Sequence, residues 1–452
     1  MKKKAYKHGD AVVALDIGTT KICAIVGRRN EHDKIDILGV GKVVSTGVLR
    51  GVVSNIDKTV QAIRDSIEIA ARNARMKIED VHVGIAGQHI RSLQHRGNLI
   101  RHHPETEITQ ADINKLFGDV HKLSLGPGVK ILHVIPQEYT VDDEQGIIDP
   151  IGMSGNRLEA NFHIITGQIA AFNNIDRCVD KAGLTVANMT LEPIASASAV
   201  LSEEEMEAGV ALVDIGGGTT DLTIIHEGII RHTAVIPFGG NIITKDIKEG
   251  CTVMNDQAEK LKVKFGSALA DEIVDNRIIT IPGFRGRDSK SISEKNLSRI
   301  IQARVEEILD YVCCEVNRSG YEGKLIGGVV MTGGGALLKN VHLLAQYHTG
   351  MAARIGLPTE DLAHGYSEQL SSPIFSTSVG LMIHAINELE KTLPPRERKK
   401  IEMEVPQLAG RIMNEQDDRS EKGGQERTGN SWLDQLVQKT RGFFEAEPDA
   451  DF

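Results

Sequence analysis

The stretch Val213 to Asp221 reads Val-Asp-Ile-Gly-Gly-Gly-Thr-Thr-Asp: an apolar strand end, an acid, three glycines, two hydroxyls and a second acid. Glycines leave backbone N–H groups open, so they can converge on a closely approaching anion. Thr219 and Thr220 offer further donors. Asp214 and Asp221 repel phosphate unless a cation stands between them. The expected ligand is therefore a nucleotide phosphate with Mg2+ held largely through water. By itself a Gly-Gly-Gly turn serves equally well as a plain connection, so the case rests on its company.

That company begins at Asp16-Ile17-Gly18-Thr19-Thr20-Lys21, which repeats the pattern with Asp16 placed 214 − 16 = 198 residues before Asp214. The interval is far too long for a solenoid repeat. It predicts two duplicated domains, each presenting a phosphate hairpin, with nucleotide held between them. A third glycine run, Gly333-Gly334-Gly335, follows the apolar Val329 to Met331. A strand-to-helix loop of this kind lets a flat ring or a phosphate lie on the backbone, or is a simple turn. Glu259 and Lys262 stand at i, i+3 of a helical pattern, as ligand groups or as a surface ion pair. The five cysteines show no CxxC spacing, so reduced thiols in a cytoplasmic protein are expected. His102-His103 lacks a ligand partner at metal spacing.

These residues need a scaffold. The 452 residues carry 40% hydrophobic and 25% charged side chains, the balance of a soluble protein of two to four domains. A net charge of −10 argues against general nucleic-acid binding. No stretch reaches the length of a membrane span, and no signal peptide is recognisable. Each hairpin reads as strand, tight turn, strand. A helix is expected after Asn55, with Val60, Ile63 and Ile67 on one face. Between residues 86 and 165 the rhythm breaks into an inserted α+β piece, with a helix over Ile108 to Leu125 and strands at Ile131 to Ile135 and Asn161 to Thr166. The small residues of Ile194 to Ala199 suit a helix packed tightly where two lobes cross. A helix starting at Leu337 and a last one over Pro373 to Leu389 complete the globular part.

From Lys391 to Asn430 the composition turns polar and charged, which predicts a disordered linker with a reach of ~30–35 Å for ~35 flexible residues. Helical periodicity returns at Ser431. Trp432, Leu433, Leu436, Val437, Phe443 and Phe444 fall on one face. Such a helix docks back on the protein or a partner, or lies in a membrane interface. The long polar linker favours the membrane.

The paired phosphate hairpins with the later glycine run resemble the actin/Hsp70/hexokinase superfamily. The chain is similar along nearly its whole length to the FtsA family of bacterial cell-division proteins. The similarity extends through His133 to Tyr139, Pro150 to Gly155, Arg231 to Pro237 and the helix-tipped tail. The resemblance implies an actin-like α/β fold of two duplicated lobes around an ATP cleft, with an inserted small α+β subdomain and a C-terminal amphipathic helix. In residue terms it implies a first lobe of 1–85 and 166–200 with 373–390, and an insert of 86–165. A second lobe of 201–245 and 325–372, an outer subdomain of 246–324, a linker of 391–430 and a membrane helix of 431–446 follow.

The resemblance also implies roles. Asp16, Gly18, Thr19, Thr20 and Lys21 form one phosphate loop, and Asp214, Gly216, Gly217, Gly218 and Thr219 the other, with Asp16 and Asp214 holding Mg2+ through water. Asn241, Glu259 and Lys262 reach ribose and adenine, and Gly333, Gly334 and Gly335 back the nucleotide. Glu192, before Pro193, is similar to a water-orienting acid of Hsp70 or else caps the helix that begins there. Arg304 matches a basic residue of the helix that binds the tail of the tubulin-like FtsZ. The implied protein is an ATP-binding peripheral membrane adaptor at the division septum. It self-associates, anchors the FtsZ ring to the inner face of the cytoplasmic membrane and recruits later division proteins. ATP turnover is slow at most. The enzyme-class alternative, a metabolite kinase or phosphatase of the superfamily, gives no reason for the tail.

Overall fold

Val12–Ile17 is buried throughout and pairs antiparallel with Lys21–Arg29, so that Ile17 faces Ile22 across the Gly18–Thr20 turn. Val210–Ile215 and Thr220–His226 repeat the hairpin, with Asp214 opposite Asp221. In the computed structural model, which describes residues 6–281, 288–363, 365 and 368–393, each hairpin opens a five-stranded sheet.

The two sheets share one topology. In the first the order is Thr185–Leu191, Asp80–Ile85, Val12–Ile17, Lys21–Arg29, Ile35–Val44. In the second it is Ala353–Ile355, Val329–Thr332, Val210–Ile215, Thr220–His226, Ile229–Ile236. Each begins as an antiparallel three-strand meander and adds two strands parallel to its first. Parallel additions need crossover helices. Ile56–Ala74, N-capped by Asn55 through the Lys58 N–H, supplies the first. In the second sheet the same crossover is expanded into Gly240–Cys251, Asn255–Phe265 and Glu294–Ser319.

After its last strand each sheet sends out one helix, Glu192–Val200 or Ser376–Lys391, and these two pack together between the sheets. Their contact is so close that a Cβ on Gly380 would collide with the Ala195 carbonyl. The small residues of the first helix therefore do what their pattern predicted. Ala14, Ile25, Leu212, Val330, Val379 and Met382 belong to the apolar layer around them.

The inserted sheet, in the order Arg91–Ile100, Arg157–Gln168, Val129–Val141, Glu144–Ile147, carries helix Gln110–Val120. That helix is shorter than expected. A capping box of Thr109 and Asp112 starts it, and the chain leaves it before Gly126-Pro127. Strand Arg91–Ile100 was not legible because most of its length is exposed or half-buried, with polar residues through its middle. Gly333–Gly335 leads into a single 3-10 turn, Gly334–Leu337, and the helix starts only at Val341, after Asn340 in a left-handed conformation. Residues 394–452, including the terminal segment with Trp432, Leu433, Leu436, Val437, Phe443 and Phe444, lie outside the described residues. Among the described residues no helix is long and apolar enough to cross a membrane.

Candidate nucleotide site between the hairpins

The two hairpin turns face each other. Gly218 lies so near the other hairpin that a Cβ there would come within 2.7 Å of Thr19 Oγ1 and 2.9 Å of Arg50 Cα, and one on Gly217 would strike the Thr20 methyl. The Gly51 N–H donates to Thr19 Oγ1 at 3.1 Å, which brings the loop before the first helix to the same junction. Beside the turns opens a cavity of about 470 Å³.

The residues that the resemblance assigns to nucleotide all line this one cavity; Thr220, expected as a further donor, does not, because its hydroxyl donates to the Phe238 carbonyl at 2.8 Å. Asp16, Gly18, Thr19, Thr20 and Lys21 form one wall, and Asp214, Gly216, Gly217, Gly218 and Thr219 the opposite one. Gly333, Gly334 and Gly335 lie along a third side, where Gly333 has φ +82° and approaches Asp214 closely. Asn241, Glu259 and Lys262 line the remainder.

Lys262 does more than form a surface ion pair. It is largely buried and bonds Glu259 at 2.8 Å, the Gly240 carbonyl at 2.9 Å and Thr244 Oγ1 at 2.7 Å, which ties its helix to the start of Gly240–Cys251. Glu259 accepts in turn from Thr244 at 2.5 Å.

Charge is concentrated here. Lys21 pairs with Asp16; burial is the strongest single influence and opposes its ammonium charge, but Asp16, Cys23 and Glu192 together outweigh it and its pKa rises. Asp214 accepts from Ser196 at 2.9 Å and Thr377 at 3.1 Å, although burial still pushes its pKa up. Burial, then Asp214, raises Asp221 to about 8 against the pull of the Thr219 hydroxyl. Glu192, the first residue of the crossing helix, is driven well above the carboxylate range by burial and then by Asp16, Asp221 and Asp214. Four carboxyl groups thus share one cavity wall region with a single lysine among them.

Thr377, which lines the cavity, and Ser196 and Ser378, which bond Asp214 and Asp16 from behind it, were absent from the expected site, and Asp221 was expected only beside a cation. Asp221 stood in the motif, but hydroxyls inside a small-residue helix carry no mark of what they reach. Arg304 does not line the cavity. It pairs with Asp246 through two contacts, 2.5 and 3.1 Å, and with Glu307, so its charge is already engaged within the chain.

Two sheets of one topology, joined by crossing helices and facing each other across a glycine-walled cavity, define an actin-like protein. Solved structures agree on the fold. The PilM-PilN type IV pilus biogenesis complex matches with TM-score 0.60 at 14% identity, covering 83% of this chain and 98% of that one. MreB5 of Spiroplasma citri bound to ADP matches with TM-score 0.52 at 16% identity, covering 84% and 98%.

Sequence similarity gives the family. The model for cell division protein FtsA matches residues 211–380, and that for the SHS2 domain inserted in FtsA matches residues 87–166. Cell division protein FtsA of Neisseria meningitidis serogroup B is 41% identical over 387 residues, 85% of this chain and 92% of that protein. The Pseudomonas aeruginosa protein of the same description is 38% identical over 383 residues, with 84% and 91% covered. The chain belongs to the FtsA family of cell division proteins.

Proposed function

We propose that the cavity binds ATP with Mg2+, and that the protein is an actin-like adaptor of the division ring. The observation that carries the nucleotide reading is the pair of glycine-turn hairpins, one from each equivalent sheet, brought to one cavity. In support, the MreB5 neighbours are structures bound to ADP and to AMPPNP.

The donor set fits a hydrated divalent cation. Asp221 Oδ1 is buried without a hydrogen-bond partner, and the neighbouring carboxyls repel one another. Asp16 and Asp214 are assigned contacts through water, as the family resemblance implies. Bound Mg2+ supplies the positive charge that stabilises ionised carboxylates and phosphate together. Lys21 and the turn N–H groups hold and orient phosphate. Glu192 is the candidate for positioning a water molecule, a role that requires it to lose its proton.

Beyond the cavity, the adaptor reading assigns residues 431–446 to the inner face of the cytoplasmic membrane, the outer subdomain with Arg304 to the FtsZ tail, and the inserted subdomain to self-association and later division proteins. Titration of a fluorescent ATP analogue, with and without Mg2+, tests the nucleotide part. Binding should depend on Mg2+ and weaken at least tenfold in Asp214→Asn, about 1.4 kcal/mol or more. Failure of the unaltered protein to bind would sink this reading.

A further inference from the structure

Strand Val129–Val141 contains the motif His133 to Tyr139, which the nucleotide site leaves unused. It pairs along Arg157–Gln168 but twice carries an extra residue, at Leu132 and at Gln137. A bulge breaks the alternation of side chains and re-aims one of them. It also accommodates Pro136, which has no N–H to give a ladder.

Beyond the first bulge, His133 Nε2 accepts the Leu191 N–H at 3.0 Å. Leu191 ends the edge strand of the first sheet and precedes Glu192 in the cavity wall. At the second bulge, Gln137 Nε2 donates to the Ile230 carbonyl at 2.8 Å, and Arg231 Nη1 donates to the Gln137 carbonyl at 3.3 Å. Ile230 and Arg231 belong to Ile229–Ile236, the edge strand of the second sheet.

Adjacent strands of the insert add to that contact. Ser92 Oγ donates to the Thr233 carbonyl at 3.1 Å. His163, 1% exposed, accepts from Gln94 at Nδ1, so Nε2 carries the proton and donates to Thr233 Oγ1 at 3.1 Å. Chain connectivity roots the insert in the first sheet alone, so these bonds to the second sheet are a separate feature of the sequence.

These contacts lie between the cavity and an outer recess. Val235, in the same edge strand, lies opposite Asp221 of the cavity. At the far end of the strut, Tyr139 lines an outer recess with Ile113, Phe117 and Ile148.

We propose that strand Val129–Val141, with its sheet neighbours Arg91–Ile100 and Arg157–Gln168, is a strut joining the edge of the first sheet at Leu191 to the edge of the second, at Ile230–Arg231 through Gln137 and at Thr233 through Ser92 and His163, so that a change of angle between the sheets is carried to the recess at Tyr139. Fully bonded, close-packed contacts shift as units and do not stretch, which lets a small rotation at the cavity become a displacement at the recess. The nucleotide arm of the test rests on the ATP reading above; the nucleotide-free arm does not.

The test is hydrogen exchange on the full chain, comparing the unaltered protein with Thr233→Val, which keeps shape and removes the hydroxyl, and Thr233→Ser, which restores it. Without nucleotide, Thr233→Val should speed exchange across 129–141 and 229–236 together by roughly fivefold to tenfold, and Thr233→Ser should not. With MgATP, protection at 110–120 and 148–151 should change in the unaltered protein. In Thr233→Val it should change only at the hairpins around Asp16 and Asp214. Independent exchange of the two strands, or an unchanged MgATP response at 110–120 in Thr233→Val, overturns the strut. Absence of any MgATP response at the hairpins counts against the nucleotide reading, and the strut is then decided by the nucleotide-free comparison.

Discussion

Thr377 and Ser378 are neighbours in one helix, yet each reaches the acid of a different hairpin: Thr377 Oγ1 donates to Asp214 at 3.1 Å and Ser378 Oγ to Asp16 at 2.7 Å. Successive helical residues point about 100° apart, so this helix must lie between the two sheets. Ser196, from the equivalent helix of the first sheet, also donates to Asp214. The acids are therefore held from the middle layer as well as by their own strands.

Unequal costs follow for removing these hydroxyls. Ser378→Ala takes the one serine donor from Asp16 and should destabilise by about 1.5–3 kcal/mol, the range for hydrogen bonds to charged groups. Thr377→Val should cost less, because Ser196 still bonds Asp214. Urea midpoints at constant slope measure both, and equal effects would contradict this account.

Gly217→Ala should open the junction between the turns. The added methyl meets the Thr20 methyl and not the glycine's own backbone, and Gly217 does not have positive φ, so the fold should survive. Affinity for an ATP analogue should fall at least tenfold, about 1.4 kcal/mol. Thr20→Ser in the same chain removes the colliding methyl and should recover most of the loss. A double variant as weak as the single one argues that the contact has no part in binding.

Stability should depend on pH through the half-buried His133 and the buried His163. Burial, then His384, lowers His133 to about 4 against the opposing pull of Glu388; burial, then His232, lowers His163 to about 4. Asp221 and Glu192, whose carboxyls the fold raises, act with the opposite sign, while at these two histidines the unfolded chain binds more protons than the folded one between about pH 4 and the ordinary value near 6.5. This contribution is fully present above that window and is lost as pH falls through it, by up to about 3 kcal/mol per histidine. Protonation also removes the acceptors for Leu191 and Gln94. Comparing the unaltered protein with His133→Gln and His163→Gln from about pH 7.5 to 4.5 isolates the effect, and a pH slope of the unfolding free energy that is the same in all three would be the contrary result.

Membrane binding should reside in residues 431–446. Trp432→Ala should weaken partition into vesicles by roughly tenfold to a hundredfold, the equivalent of about 1.5–3 kcal/mol for one large apolar side chain. Phe443 and Phe444 should behave alike. Liposome flotation decides it: equal flotation of the full chain and of a chain lacking 431–445 removes the assignment.

What the sequence alone made legible was the local geometry of the hairpins. An apolar run ending in Asp, a glycine turn and a returning strand specify their own backbone, and the echo of Asp214 at Asp16 marked two equivalent units. The glycine run at 333–335 and the small-residue helix after Glu192 were readable for the same reason, since each states a backbone requirement in its own residues. The start of the helix beyond Gly335 was misplaced, because the left-handed Asn340 that delays it looks like any polar helix residue.

Partners across the fold were decided only by the tertiary structure. Nothing local distinguishes Ser196, Thr377 and Ser378 from other helical hydroxyls, and only the crossing of their helices aims them at Asp214 and Asp16. Arg304 enters from the sequence only as a match to a partner-binding cation, and the packing of its helix against Gly240–Cys251 is what brings Asp246 to it. Gln137 lies beyond the strand expected at Ile131 to Ile135, and only the bulge in Val129–Val141 turns it toward Ile230. Backbone conformation depends on near neighbours and can be read along the chain; a side chain's partner depends on which distant elements the core brings together.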